Sequence, residues 1–122
     1  MIFRIKESVR EYVSFSHRAD LLNQLLRLLL THYREERSVA FYADKMCLTS
    51  KYLSKIIKEI SGKSILEWIS ETVIMASKAL LKSSEMTVLQ ISEELNFPNP
   101  SFFSRFFKKH TGMTPIEYRE SE

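Results

Sequence analysis

Residues 99–119 read NPSFFSRFFKKHTGMTPIEYR, and residues 49–69 read TSKYLSKIIKEISGKSILEWI. Laid one on the other without a gap, the two segments are copies. Ser54 meets Ser104, Lys55 meets Arg105, Lys58 meets Lys108, Gly62 meets Gly112 and Glu67 meets Glu117. Tyr52 falls on Phe102, Ser64 on Thr114 and Trp68 on Tyr118. The match extends upstream once one residue is inserted at Pro98. Tyr42-Ala43-Asp44-Lys45-Met46 then aligns with Ile91-Ser92-Glu93-Glu94-Leu95. Each copy reads as a short helix, a tight turn, a longer basic helix, a glycine stop and a helix start. A short helix, a turn and a second helix with exposed polar and basic positions make a helix-turn-helix unit. Solenoid repeats need at least three stacked copies, and there are two.

The rest of the chain also reads as helix. Leu21, Leu22, Leu25, Leu26, Leu29 and Tyr33 recur at steps of three and four, the period of an amphipathic helix. Ser16 or Asp20 is a plausible start for it. Ser38 predicts the cap of a short helix over residues 39–46, and Thr49 the cap of the next. Gly62 and Gly112 each suit the residue that ends a helix. Ser64-Ile65-Leu66-Glu67, Thr87-Val88-Leu89-Gln90 and Thr114-Pro115-Ile116-Glu117 all have capping-box spacing. Asn99-Pro100 fits a cap followed by proline in the first turn. The fold class expected is all-α, with about seven helices. Two helix-turn-helix subdomains, near 38–63 and 87–112, are joined by a long linker helix near 64–83.

Composition agrees. In 122 residues there are only 2 Gly and 3 Pro, too few turns for a sandwich or barrel of hairpins. One cysteine, Cys47, excludes an internal disulfide framework and a multi-cysteine zinc site. Cys47 is expected to be a small buried residue. No apolar run approaches the ~20 residues needed to span a bilayer, and a cytoplasmic location is expected. His17, His32 and His110 are isolated, so no metal site is expected. No nucleophile–base set, paired carboxylates or glycine-rich phosphate loop appears, so no catalytic residues and no cofactor are expected.

The net charge of +3 is small, but its distribution is uneven. Residues 49–63 carry Lys51, Lys55, Lys58 and Lys63 against Glu59. Residues 99–111 carry Arg105, Lys108 and Lys109 with no acid, whereas residues 84–98 carry Glu85, Glu93 and Glu94 with no base. Two basic clusters in a neutral frame suggest two contacts with a polyanion. The linker helix of 20 residues spans roughly 30 Å, close to the ~34 Å between successive major-groove openings on one face of DNA. One chain is thus long enough to place two recognition helices in adjacent grooves. Lysine and arginine in the first half of such a helix can reach guanine O6 and N7. Lys58, Lys108 and Lys109 lie further along and suit phosphate. Phe103 and Phe107 match Leu53 and Ile57 and are expected in the core, as are Trp68 and Tyr118.

These motifs resemble the DNA-binding domain of the AraC/XylS family of bacterial transcription regulators. The resemblance is carried by Leu48-Thr49-Ser50-Lys51-Tyr52-Leu53-Ser54-Lys55. It is carried more specifically by the stretch from Ile91-Ser92-Glu93-Glu94-Leu95-Asn96-Phe97 through Ser101–Lys109 to Thr111–Arg119. It covers about residues 20–120 and implies seven helices, two helix-turn-helix units and a linking fourth helix. By position in the motif, base reading carries over to Ser50, Lys51, Ser54 and Lys55 in the first unit. In the second it carries over to Pro100, Ser101, Ser104 and Arg105. Phosphate contact is assigned to Thr49, Lys58, Asn99, Lys108 and Lys109.

The expected function is sequence-specific binding of double-stranded DNA in transcription regulation. The rival is a helical interaction module that keeps the fold but has lost operator reading, with RNA polymerase or another regulator as its partner. Residues 1–19 are set apart as an N-terminal arm, or the remnant of an upstream linker, before the domain at 20–122. In the arm Ile2, Ile5, Val9, Tyr12 and Val13 fall at helical spacing. They predict a short amphipathic helix that packs on the first long helix or pairs with a second chain as a homodimer.

Overall fold

The computed structural model describes residues 2–122, with side chains from His17 onward. Seven helices follow in order: α1 (Ile2–His32), α2 (Val39–Lys45), α3 (Ser50–Ser61), α4 (Ile65–Ser83), α5 (Val88–Glu94), α6 (Pro100–Thr111) and α7 (Pro115–Glu120). The described residues contain no strand. They form two compact units. One comprises the chain up to Thr31 with Arg37–Trp68; the other comprises His32–Glu36 with Ile69–Glu122.

The first helix departs from expectation. It does not begin at Ser16 or Asp20 but is continuous from Ile2, with no separate arm helix. Ser16 and Asp20 are polar, but no glycine or proline lies between Ile2 and His32 to break the helix. The packing expected of the side chains of residues 1–15 lies outside the described residues.

In the first unit, α1 buries Leu21, Leu25 and Leu29. The remaining buried apolar side chains there are Tyr42, Ala43, Met46, Leu53, Ile56, Ile57 and Ile65. In the second unit the core is aromatic. Phe97, Phe103 and Phe107 cluster with Val73, Ile74, Leu81, Ile91 and Leu95. The Phe103 ring lies 5.0 Å from Phe97 and 6.0 Å from Phe107, tilted against both. Ser77 is fully buried on α4, and its hydroxyl donates to the Val73 carbonyl at 2.7 Å, which satisfies it within the helix.

The repeat is repeated in backbone detail. Both short helices end in the same way. The Leu48 amide donates to the Ala43 carbonyl at 2.9 Å, and the Phe97 amide to the Ser92 carbonyl at 2.8 Å. Between them Cys47 and Asn96 both sit at φ 57°, in the left-handed region. This is the Schellman arrangement, with an apolar residue following the left-handed one. It overturns the expectation for Cys47, which is exposed rather than buried. Its position in the turn aims the thiol away from the core. Asparagine tolerates this conformation better than cysteine does. Cys47→Asn should therefore raise stability by roughly 0.5–1 kcal/mol. Urea unfolding checks this, and an unchanged midpoint would show that the turn exacts no strain at Cys47.

The longer helices also begin and end alike. Thr49 accepts from the Tyr52 amide at 3.1 Å, and Asn99 from the Phe102 amide at 2.7 Å. Gly62 (φ 76°) and Gly112 (φ 82°) close α3 and α6. No heavy atom lies within 4 Å of a Cβ built at either glycine, so φ and not space is what requires glycine there. The capping boxes are only partly realised. Thr87 and Gln90 make both reciprocal bonds. Ser64 and Thr114 accept from the amides of Glu67 and Glu117, both at 3.1 Å, but these glutamates stay exposed in solvent.

Candidate nucleic-acid interface

Successive residues of a helix turn by about 100°. On α3 the buried stripe is Leu53, Ile56 and Ile57; on α6 it is Phe103 and Phe107. The opposite side of α3 therefore presents Lys51, Lys55 and Lys58, and that of α6 presents Ser101, Arg105 and Lys108. Ser50, Lys51, Ser54 and Lys55 are all exposed. Ser101 and Arg105 are exposed, whereas Pro100 and Ser104 are half-buried. The structure thus places Lys51 and Lys55 on the solvent side of α3, and Ser101 and Arg105 on that of α6, while Pro100 and Ser104 turn toward the buried stripe of α6.

The expected phosphate contacts differ among themselves. Thr49 and Asn99 are exposed, but their side-chain oxygens already cap the helices. The Thr49 hydroxyl proton and the Asn99 amide protons are what they can offer to a ligand. Lys58 donates its ammonium to the Gly62 carbonyl at 3.1 Å, so it also serves the C-terminus of its own helix. Among the described residues, the side chains of Lys51, Lys55, Arg105, Lys108 and Lys109 form no hydrogen bond or ion pair. Glu59 is the one acid on α3. It pairs with Arg18 at 3.5 Å, in an exposed contact worth little to stability. On both helices the cations thus stand ready for an external anion.

One feature of this region escaped the sequence reading, a hydroxyl knot behind each of α3 and α6. Ser61 donates to the Ile57 carbonyl at 2.7 Å and accepts from the Lys63 amide at 3.2 Å. Thr111 makes the same bonds to Phe107 at 2.8 Å and Met113 at 3.2 Å. In the first unit the Trp68 indole also donates to Ser61 at 2.9 Å. The Ser61–Thr111 match in the repeat is the signal that marks it. Tyr52 and Phe102, which the repeat already pairs, are 44% and 46% exposed at the same register, beside the basic face.

Elsewhere, burial pushes the Arg37 guanidinium below its ordinary value, an effect that the Tyr42 phenol opposes. Among the described residues no group of three or more His, Cys, Asp or Glu is placed to hold a metal ion. No helix there is long and apolar enough to cross a membrane.

A family model described as a helix-turn-helix domain matches residues 42–121, from within α2 to just past the end of α7. The chain belongs to the AraC/XylS family. The arabinose operon regulatory protein of Salmonella typhimurium is 33% identical to this AraC-type chain over 81 residues. That match covers 66% of the chain and 29% of the relative, so the chain spans less than a third of that protein's length. The C-terminal domain of the response regulator yesN from Fusobacterium nucleatum has the same fold. Its TM-score is 0.78 at 24% identity, over 83% of this chain and 99% of that one. So does the DNA-binding domain of AdpA, solved in complex with a target DNA. Its TM-score is 0.69 at 20% identity, over 84% of this chain and 88% of that domain.

Proposed function

We propose that this AraC-type chain is a sequence-specific, double-stranded DNA-binding transcription regulator that inserts α3 and α6 into adjacent major grooves. The observation that carries the reading is the same one twice: a capped helix whose solvent face bears long cations free of acidic partners among the described residues. Lys51, Lys55 and Arg105 read base edges, with Ser50, Ser54, Pro100, Ser101 and Ser104 around them. Lys58, Lys108 and Lys109, with the donors of Thr49 and Asn99, hold phosphates. Tyr52 and Phe102 offer apolar contact for thymine methyl groups. The relatives are regulators of transcription, and the AdpA domain was solved on its target DNA. The partners we infer are duplex DNA, RNA polymerase and, through the N-terminal arm, a second copy of the chain.

The 19 residues of α4 span about 28 Å, near the ~34 Å between successive major-groove openings on one face of DNA. The chain should therefore protect roughly two successive turns of DNA per monomer. Footprinting on a selected site checks this; protection of a single half-turn by the monomeric chain overturns the two-groove reading. Absence of any salt-dependent affinity for DNA would return the rival, an interaction module.

A further inference from the structure

The repeat changes sign at one position. In the same ungapped match, Glu59 of α3 meets Lys109 of α6. At about 100° per residue, each lies about 40° round its helix from the cation one turn earlier, Lys55 or Arg105. Both therefore border the basic face, and both are exposed. A carboxylate at the edge of a surface that meets phosphates repels them. Relative to α6, α3 taken alone has lost a grip and gained a repulsion. The missing cation comes from elsewhere in the same unit. Arg18 of α1 brings its Nη2 to 3.5 Å from the Glu59 Oε2. The bond is single and long, and the two side chains are 45% and 42% exposed. Most of the five N–H donors of the guanidinium are left to face solvent. Lys55, one turn before Glu59, has the spacing of a helical ion pair with it, yet among the described residues its side chain makes none. Arg18 takes the carboxylate and leaves Lys55 free.

We propose that Arg18 is a phosphate contact of the first unit, at the place where Lys109 serves the second, and that Glu59 is the residue that positions it. The ligand is the sugar–phosphate backbone of the duplex. The proposal rests on the DNA-binding reading above and adds α1 to the elements that touch DNA. Arginine suits the task. Its rigid fork donates to a carboxylate along one edge and to a phosphate along another, which the point charge of a lysine does not do in fixed geometry. The exposed pair contributes little to stability, so an approaching phosphate competes with Glu59 at small cost.

Salt titrations of the full chain on a duplex selected from random sequence, and on a scrambled one, test this. Glu59→Gln keeps an acceptor for Arg18 and removes the repulsion, so it should bind at least as tightly as wild type. Adding Arg18→Ala to Glu59→Gln should weaken both duplexes by about the same factor and lower the salt slope by about one. Arg18→Ala combined with Glu59→Lys should return the slope to the wild-type value, because it writes the second unit's lysine into the first. Arg27, nine residues on, is exposed on the opposite side of α1, and Arg27→Ala should leave the slope unchanged. The unfolding midpoint of each variant should match wild type, so a changed slope reports contact and not unfolding. If Arg18→Ala costs nothing in the Glu59→Gln background, Arg18 only neutralises Glu59 and the proposal falls. It falls equally if Arg27→Ala lowers the slope as much. A wild type with no salt-dependent affinity for either duplex would instead overturn the DNA-binding reading itself.

Discussion

Phe103→Ala should cost about 3–5 kcal/mol of stability, the usual range for deleting a fully buried aromatic ring. Phe103 has no exposed surface and touches the rings of Phe97 and Phe107, which themselves have little or none. The loss is large against a typical domain stability of about 5–15 kcal/mol. It should appear in urea unfolding as an earlier transition with retained helical signal before it. Phe103→Leu restores most of the volume and should cost about 1 kcal/mol. The contrast separates two roles for the aromatic run of α6. If Phe103 were a base-stacking residue, alanine would weaken DNA binding and leave the midpoint in place.

Arg105→Ala should weaken binding to the preferred DNA site by about 1–3 kcal/mol and relax preference at one or two base pairs. Lys108→Ala should weaken all duplexes about equally and reduce the salt slope by about one. Both side chains are exposed, so neither change should move the unfolding midpoint by more than about 0.5 kcal/mol. Their placement divides them. Arg105 lies one turn after Ser101, in the first half of α6, and Lys108 lies nearly a turn beyond it. Titrating both variants against specific and scrambled duplexes at several salt concentrations checks the division. An equal loss on both duplexes for Arg105→Ala would make it a phosphate contact.

Helix starts were legible because they are chemical. Ser38, Thr49, Thr87 and Asn99 each accept from an amide three residues on, as their positions before apolar periodic segments predict. The candidate interface was legible for a related reason. A buried stripe at one angle of a helix fixes what the other side must present, and the repeat states the answer twice. What misled lay where a local signal is overruled. Ser16 and Asp20 look like helix starts, but a start needs something to end the preceding turn. Cys47 looked like a core residue by type, yet its place in the turn is set by backbone hydrogen bonds that ignore its side chain. The hold of Lys58 on the Gly62 carbonyl depends on which way a flexible chain folds back, and no spacing rule encodes that. Glu67 and Glu117 had the spacing of a reciprocal cap, but the carboxylates remain in water.

The matching ends of α3 and α6 have a consequence for how this molecule can change. Cap, length, glycine stop and hydroxyl knot are shared, while the residues inside are Leu and Ile in one helix and Phe in the other. The frame is therefore indifferent to what is written on its outer side. Letters at positions 51 and 55 can be exchanged for those at 101 and 105 without touching either interior. On the proposed base contacts, a chain given the same letters in both places should look for the same word twice, and one with different letters for two different words. Selection can then revise one word while the other keeps the molecule on its site.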